Sequence, residues 1–321
     1  MALTVLGLTV ATFAMTRLSP VDPALQMVGD HASESTYLAA REELGLDRAW
    51  PVQFGIYAAK ALTGNLGRSI STGQPVSSDI ARTFPATIEL ATVAIVIGAS
   101  LGLLLGIVSG IRPGGVVDAV ARVASLIGFS MPIFWLGLLF LLFFYARLQW
   151  ASGPGRLDVL FQYTVKPQTG FMLIDTWMSG KPGAFRSAVA HLVLPATVLA
   201  IYALSGIARL TRALILAERG QEYTLTAQAR GASITRVVFV HILPNISGQL
   251  ITIVALSYAS LLEGAVLTET VFAWPGIGRY LTVAMFSGDT PAILGGTLVI
   301  GLSFILLNTF TDLLAERSGG V

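Results

Sequence analysis

The sequence predicts an all-α protein that crosses a membrane several times, and three observations carry that prediction. Of its 321 residues, 54% are hydrophobic and only 12% are charged, where a soluble domain carries about 25% charged residues. Mean hydropathy is +0.74. The apolar residues gather in long continuous runs and do not alternate, which excludes a membrane β-barrel. A soluble chain of this length needs polar surface for more than one domain, and the residues to build it are missing.

Six transmembrane helices are predicted in one domain, near residues 1–17, 86–111, 117–146, 189–214, 245–269 and 291–314. The later five approach or exceed the roughly 20 residues needed to span the hydrocarbon. The first, apolar from Met1 to Met15, is shorter. It lacks the basic region that precedes the apolar part of a signal peptide, so it reads as a first membrane helix whose true start lies somewhat upstream. Pro85 and Pro291 are expected at the openings of the second and sixth helices, where a missing N–H costs nothing. Pro132 stands mid-run in the third and predicts a kink. Gly98, Gly102, Gly106 and Gly110 recur every four residues, a spacing that lets helix backbones approach closely.

Two long segments, 18–84 and 147–188, are expected in water. Long segments translocate regardless of charge; short loops set topology. Arg209, Arg212, Arg219, Arg230 and Arg236 cluster around the connection after the fourth helix, with Arg112 and Arg122 near the one after the second. The connection between the last two helices has only Arg279, beside Phe272, Trp274 and Tyr280. The arginine-rich side is therefore placed in the cytoplasm, with both termini, and the two long segments outside.

Several chemistries are excluded. Without cysteine there are no disulfides, thiolate nucleophiles or common zinc sites. His31, His191 and His241 stand in no metal-binding spacing. A net charge of +2 gives no reason to invoke nucleic acid. No GxxxxGK[ST] phosphate loop is present.

Residues 215–244 form the informative connection. Within it, E-Y-T-L-T-A-Q-A-R-G-A-S-I-T-R-V-V-F-V-H-I-L-P-N (222–245) reads as a short polar helix, a break and a second helix. Arg230 falls in the last turn of the first piece, Gly231 suits the left-handed position after it, and Ser233 caps the second piece. Pro244 is expected to end that second piece before the fifth span.

This segment resembles the cytoplasmic EAA loop of ABC importer permeases, Glu-Ala-Ala, three residues, Gly, nine residues, Ile, one residue, Leu-Pro. The chain keeps Ala227, Gly231, Leu243 and Pro244 and departs at Leu225, Thr226 and His241. The form T-A-Q-A-R-G-A-S is similar to the variant of dipeptide and oligopeptide permeases. R-L-S-P-V-D-P-A (17–24), E-E-L-G-L-D-R (42–48), G-N-L-G-R-S (64–69), P-A-T-I-E-L-A (85–91), S-M-P-I-F-W-L-G (130–137), H-L-V-L-P-A-T (191–197) and T-E-T-V-F-A-W-P-G-I-G (268–278) come in that family's order. The long first external segment resembles that of the first permease subunit of the pair.

The resemblance implies the type I ABC importer permease fold in a bacterial inner membrane. It implies a homologous second permease subunit, two cytoplasmic ABC ATPases and an extracytoplasmic substrate-binding protein. ATP and Mg would be bound by the ATPases, and this chain would bind no cofactor and catalyse nothing. The coupling helix would dock on an ATPase through Glu222, Tyr223, Thr226, Ala227, Gln228, Arg230 and Gly231, with Ala227 and Gly231 small enough to enter a cleft. Glu263 and Glu269, in the outer half of the fifth span, line the translocation path or its outer gate, or else snorkel or pair with an arginine. Trp274, Pro275 and Gly276 form an outer turn that anchors the structure or meets the binding protein. Glu89 and His191, near outer helix ends, read as structural, and Asp118 with Arg122 as a local i,i+4 ion pair. Nickel chelates, haem or another small solute are alternative cargoes within this architecture. A stand-alone secondary transporter is the rival of another class, but inverted repeats and mid-membrane charges are not evident.

Overall fold

A computed structural model describes residues 2–18, 22–29, 31–43 and 45–318. Parts of the R-L-S-P-V-D-P-A and E-E-L-G-L-D-R pieces, and both chain ends, lie outside the described residues. Helices make up the fold: α1 (Ala2–Leu18), α2 (Pro23–Val28), α3 (Glu34–Glu43), α4 (Trp50–Leu62), α5 (Val76–Ile111), α6 (Val116–Ser130) and α7 (Ile133–Phe140), which runs on as a π-helix to Arg147. Then come α8 (Val159–Gln162), α9 (Met172–Met178), α10 (Ala184–Arg219), α11 (Glu222–Ala229) and α12 (Ile234–Val237), a π segment (Val238–Ile242), α13 (Leu243–Val271), α14 (Ile277–Phe286) and α15 (Thr290–Ser318). Among the described residues no β-strand forms; Arg68 and Pro75 make one isolated bridge.

Four helices are long and apolar enough to cross a membrane: α5, α10, the continuous run Ile234–Val271, and α15 over Thr290–Thr311. The pair α6 with Ile133–Arg147 passes the same test only when its two bent pieces are taken together, as a broken span or a re-entrant loop. The predicted first span corresponds to α1, whose apolar stretch Leu3–Met15 is shorter than the others.

Three proline expectations need correction. Pro85 lies inside α5, which starts at Val76, so the helix enters from well within the segment read as external. Around Pro132 the third run breaks into two helices bent by 101°, far more than a kink. The residue before a proline is pushed to extended backbone, and Met131 takes φ −80, ψ 131. Pro244 does not end the piece before the fifth span; helix runs through it. The π segment Val238–Ile242 immediately precedes it, and its wider turn accommodates a ring that would clash with the carbonyl four residues back. Pro291 does stand in the first turn of α15, as predicted. Arg209 and Arg212, placed by sequence beside a loop, lie within α10, which continues to Arg219.

The chain separates into two compact units. The first comprises residues 1–84 and 277–306, with a core of Val76, Ile80 and Ile277. Its Asp289, fully enclosed, accepts hydrogen bonds from Ser69 Oγ at 2.6 Å and the Ser71 N–H at 2.9 Å, holding the G-N-L-G-R-S loop to the start of α15.

The second unit comprises residues 85–276 and 307–321. Here Leu90 and Ala94 of α5, Leu199 and Ala203 of α10, and Leu261 and Ala265 of α13 share one core. The glycine stripe on α5 is the seam with α10. A Cβ on Gly98 would lie 2.8 Å from Ala203, on Gly106 2.6 Å from Thr211, and on Gly110 2.7 Å from Ile215. Such distances are below van der Waals contact, so only glycine lets these backbones meet.

Candidate functional site

The segment after α10 is held from beneath by local chemistry. Helix ends leave carbonyls without intrahelical partners. The buried Thr224 turns its Oγ1 to the carbonyls of Glu218, Arg219 and Gln221 at 3.1, 2.8 and 2.8 Å. Arg219 donates to the Gly110 carbonyl at 2.8 Å, which satisfies the end of α5 and places a cation at its negative pole. Glu218 gathers two more elements: Tyr223 OH donates to it at 2.5 Å and Asn245 Nδ2 at 3.2 Å. Burial, reinforced by the Glu218 carboxylate, pushes the Tyr223 phenol up to about 12, so it stays a protonated donor at physiological pH.

The end of α11 obeys the predicted grammar. Gly231 adopts φ +89. Its N–H bonds to the Gln228 carbonyl at 2.9 Å, and the Ala232 N–H bonds to the Ala227 carbonyl at 3.1 Å. Those two bonds define a Schellman stop. Ser233 then caps α12, accepting from the Arg236 N–H at 3.4 Å. Beneath the stop, Ala227 and Ala232 rest on Ile215, Val237, Val238, Ile242 and Ile246.

This geometry revises why two small residues stand here. Ala227 faces the protein's own core, half-buried. Gly231 has open space around its Cα but a backbone conformation that side chains resist. Glu222, Tyr223, Thr226, Gln228, Arg230 and Gly231 are exposed, forming one surface. Leu225 joins them at 53% exposure, an apolar knob that sequence reasoning missed because it stands at a departure from the EAA pattern.

The other predicted residues are scattered. Glu263 is exposed on α13. Glu269 is fully enclosed and accepts from Thr87 Oγ1 at 2.5 Å, so within this chain it is an internal tie. Trp274, expected at an outer surface, is also enclosed. Its Nε1–H donates to the Ala86 carbonyl at 2.9 Å, and only Pro275 of the predicted trio is exposed. Gly276 is required because a Cβ there would collide with the Glu269 carboxylate.

Sequence reasoning missed the residue that organises this neighbourhood. Arg156 is buried and forms an ion pair with the buried Glu89. It also donates to the Gly170 carbonyl at 2.8 Å and lies over the Trp274 ring at 5.4 Å. Glu89 further accepts the Leu173 N–H at 2.8 Å. Glu89 is therefore structural, as expected, but its partner is 67 residues away. His191 is structural too: its Nδ1 lies 2.8 Å from the Ser187 carbonyl.

Comparison with known proteins places this arrangement. Residues 102–318 match the family described as binding-protein-dependent transport system inner membrane component, and residues 1–91 match its N-terminal membrane component. The chain is 42% identical over 312 residues to the di/tripeptide transport system permease protein DppB of Pseudomonas aeruginosa, covering 97% of this chain and 92% of that protein. It is 39% identical over 314 residues to the probable D,D-dipeptide permease DdpB of Escherichia coli K12, covering 98% and 92%. Among solved structures, the inward-facing MetNI methionine ABC transporter gives a TM-score of 0.54 at 18% identity, covering 74% of this chain and 95% of that one. That likeness shows the type I importer permease fold.

Proposed function

The chain belongs to the family of binding-protein-dependent transport system inner membrane components, and from that premise we infer that it forms half of the pore of an ATP-driven importer of dipeptides and short oligopeptides. The peptide cargo is supported by relatives named for di- and tripeptide transport over nearly their whole length; the nickel and haem readings have no such support. In this reading the protein sits in a bacterial inner membrane with the arginine-rich ends in the cytoplasm. A homologous second subunit completes the pore, and an extracytoplasmic binding protein delivers the peptide. ATP and Mg are bound by two partner ATPases, and this chain is a non-catalytic subunit.

One observation carries the assignment: α11 is a short, exposed helix fixed rigidly to three spans. The Schellman stop sets its end, and Glu218 links it to α10 and to Asn245 of α13. Arg219 links that same corner to α5. A partner that grips the exposed face and moves α11 therefore moves α5, α10 and α13 with it. Closure of the ATPases on ATP would act through this lever to switch the pore from inward- to outward-facing.

The test is purification of the tagged full chain from its native membrane, with identification of the proteins that accompany it. A second permease subunit and ATPases are expected, and Leu225→Asp should release the ATPases while leaving the permease pair intact. Dipeptide uptake by the chain alone, without companions, would favour the secondary transporter instead. Competition of labelled dipeptide uptake by a nickel chelate tests the cargo.

A further inference from the structure

Three arginines of the second unit line one cavity of about 310 Å³ between α5, α6 and α10: Arg122, Arg209 and Arg212. Among the described residues one carboxylate, Asp118, pairs with two of them, Arg122 and Arg212. It is fully enclosed and binds Arg212 in a fork, Nε to Oδ1 at 2.5 Å and Nη2 to Oδ2 at 3.0 Å, while the Gly114 N–H occupies it at 2.9 Å. Arg122, whose side chain is 57% exposed, approaches the same carboxylate only at 3.5 Å. Arg209 lies over the Phe129 ring at 4.5 Å and has no carboxylate partner among the described residues. The predicted local pair of Asp118 with Arg122 is thus the weaker of two contacts, and positive charge is left over.

Arg209 and the exposed Arg122 thus line the cavity with charge that Asp118 does not consume, and surplus guanidinium groups call for an oxyanion acceptor.

The surroundings select which acceptor. Leu126, 67% exposed, lines both this cavity and an apolar groove at the α6–α7 break formed with Ile127, Met131, Pro132 and Trp135. Val116, Val120, Val123 and Ile127 present an exposed apolar stripe along α6, as a lipid-facing helix does. An oxyanion site opening into an apolar groove on such a face matches one chemistry, an anionic head carrying an acyl chain. We propose that this cavity binds the headgroup phosphate of an anionic phospholipid, with Arg122 and Arg209 as its donors and the groove at Pro132 holding an acyl chain. The proposal does not depend on which side of the membrane this end faces, nor on the cargo.

The test is lipid retention by the purified full chain with its native companions, reconstituted in nanodiscs of equal phosphatidylglycerol and phosphatidylcholine. After detergent extraction, retained lipid is quantified by mass spectrometry. The wild type should keep phosphatidylglycerol preferentially, and Arg122→Gln and Arg209→Gln should each lower that retention about fivefold. Arg209→Lys, which keeps the charge, should retain most of it, and thermal unfolding in detergent should be unchanged in all three. Equal retention of the two lipids, or unchanged retention in both glutamine variants, overturns the site. Inorganic phosphate that displaces the lipid completely and stabilises the lipid-free chain would show a free-anion site and overturn the lipid assignment.

Discussion

The neighbourhood of Arg156 and the segment around α11 solve opposite problems within one unit. Around Arg156, charge is enclosed and consumed: Glu89, Arg156, Glu269 and the Trp274 indole all have internal partners. Around α11, the backbone is fixed but the charges of Glu222 and Arg230 are left outside. The first arrangement ties the 147–188 segment to α5 and α13; the second presents a rigid surface with its polar groups uncommitted. Enclosed charge holds a shape, whereas exposed charge on a fixed backbone is available to another molecule. Substitutions should therefore cost stability in the first region and association in the second.

The sharpest way to break this contrast is Arg156→Met. It leaves the Glu89 carboxylate enclosed without its cation, an imbalance of about 3–5 kcal/mol. Unfolding of the solubilised chain should register that loss, and adding Glu89→Gln should restore most of it, because the uncompensated charge is then gone. A single variant as stable as wild type would mean that water reaches the pair and that the region is not an enclosed clamp. Trp274→Phe comes next: removing the indole N–H from the Ala86 carbonyl should cost about 1–3 kcal/mol. At the neighbouring Pro275, substitution by alanine should stay within about 0.5 kcal/mol. Equal effects at the two positions would return Trp274 to the surface role the sequence suggested.

The same contrast explains what was legible in the sequence. Gly231 and Ser233 act on carbonyls and N–H groups within a few residues, so the stop and the cap can be read from local spacing. The membrane-spanning runs were legible for the same reason, as hydrophobicity is read window by window. The Glu89–Arg156 pair was not legible, because nothing in the long stretch between two residues 67 positions apart signals that a loop arginine folds back onto a helix. Trp274 was misplaced because an aromatic near a helix end suits an interface and a core equally well. Pro85 and Pro244 show the limit of a local rule: helix runs through both, so a proline need not mark a boundary, and the π segment ahead of Pro244 gives its ring room.

Within the α11 region, Gly231→Ala tests whether the fixed backbone matters. Placing a side chain at φ +89 should cost about 1–2 kcal/mol, absorbed locally by reshaping the stop. Because the Cβ itself meets open space, the chain should still fold, and the loss should appear as weaker co-purification of the proposed ATPase partners. Gly231→Asn, which tolerates the left-handed region, should lose less. Equal losses for both would point to contact with a partner, and no loss in either would remove the segment from coupling.

The smallest effect on stability is expected where the effect on association should be clearest. Arg230 and Glu222 are exposed. Neither side chain has an ion-pair partner among the described residues, so Arg230→Ala or Glu222→Gln should change unfolding by no more than about 0.5 kcal/mol. If α11 enters an ATPase cleft, those groups become enclosed there, and losing one hydrogen-bonded charge should weaken the complex by about 1.5–3 kcal/mol. Association would then fall by roughly tenfold or more while stability barely moves. Salt adds an independent reading: contacts that are ionic should weaken as ionic strength rises, and Arg230→Ala should flatten that dependence. Co-purification of the ATPases unchanged at every salt concentration would assign the grip to Leu225 and the apolar edge of α11, leaving the charges as solvated decoration.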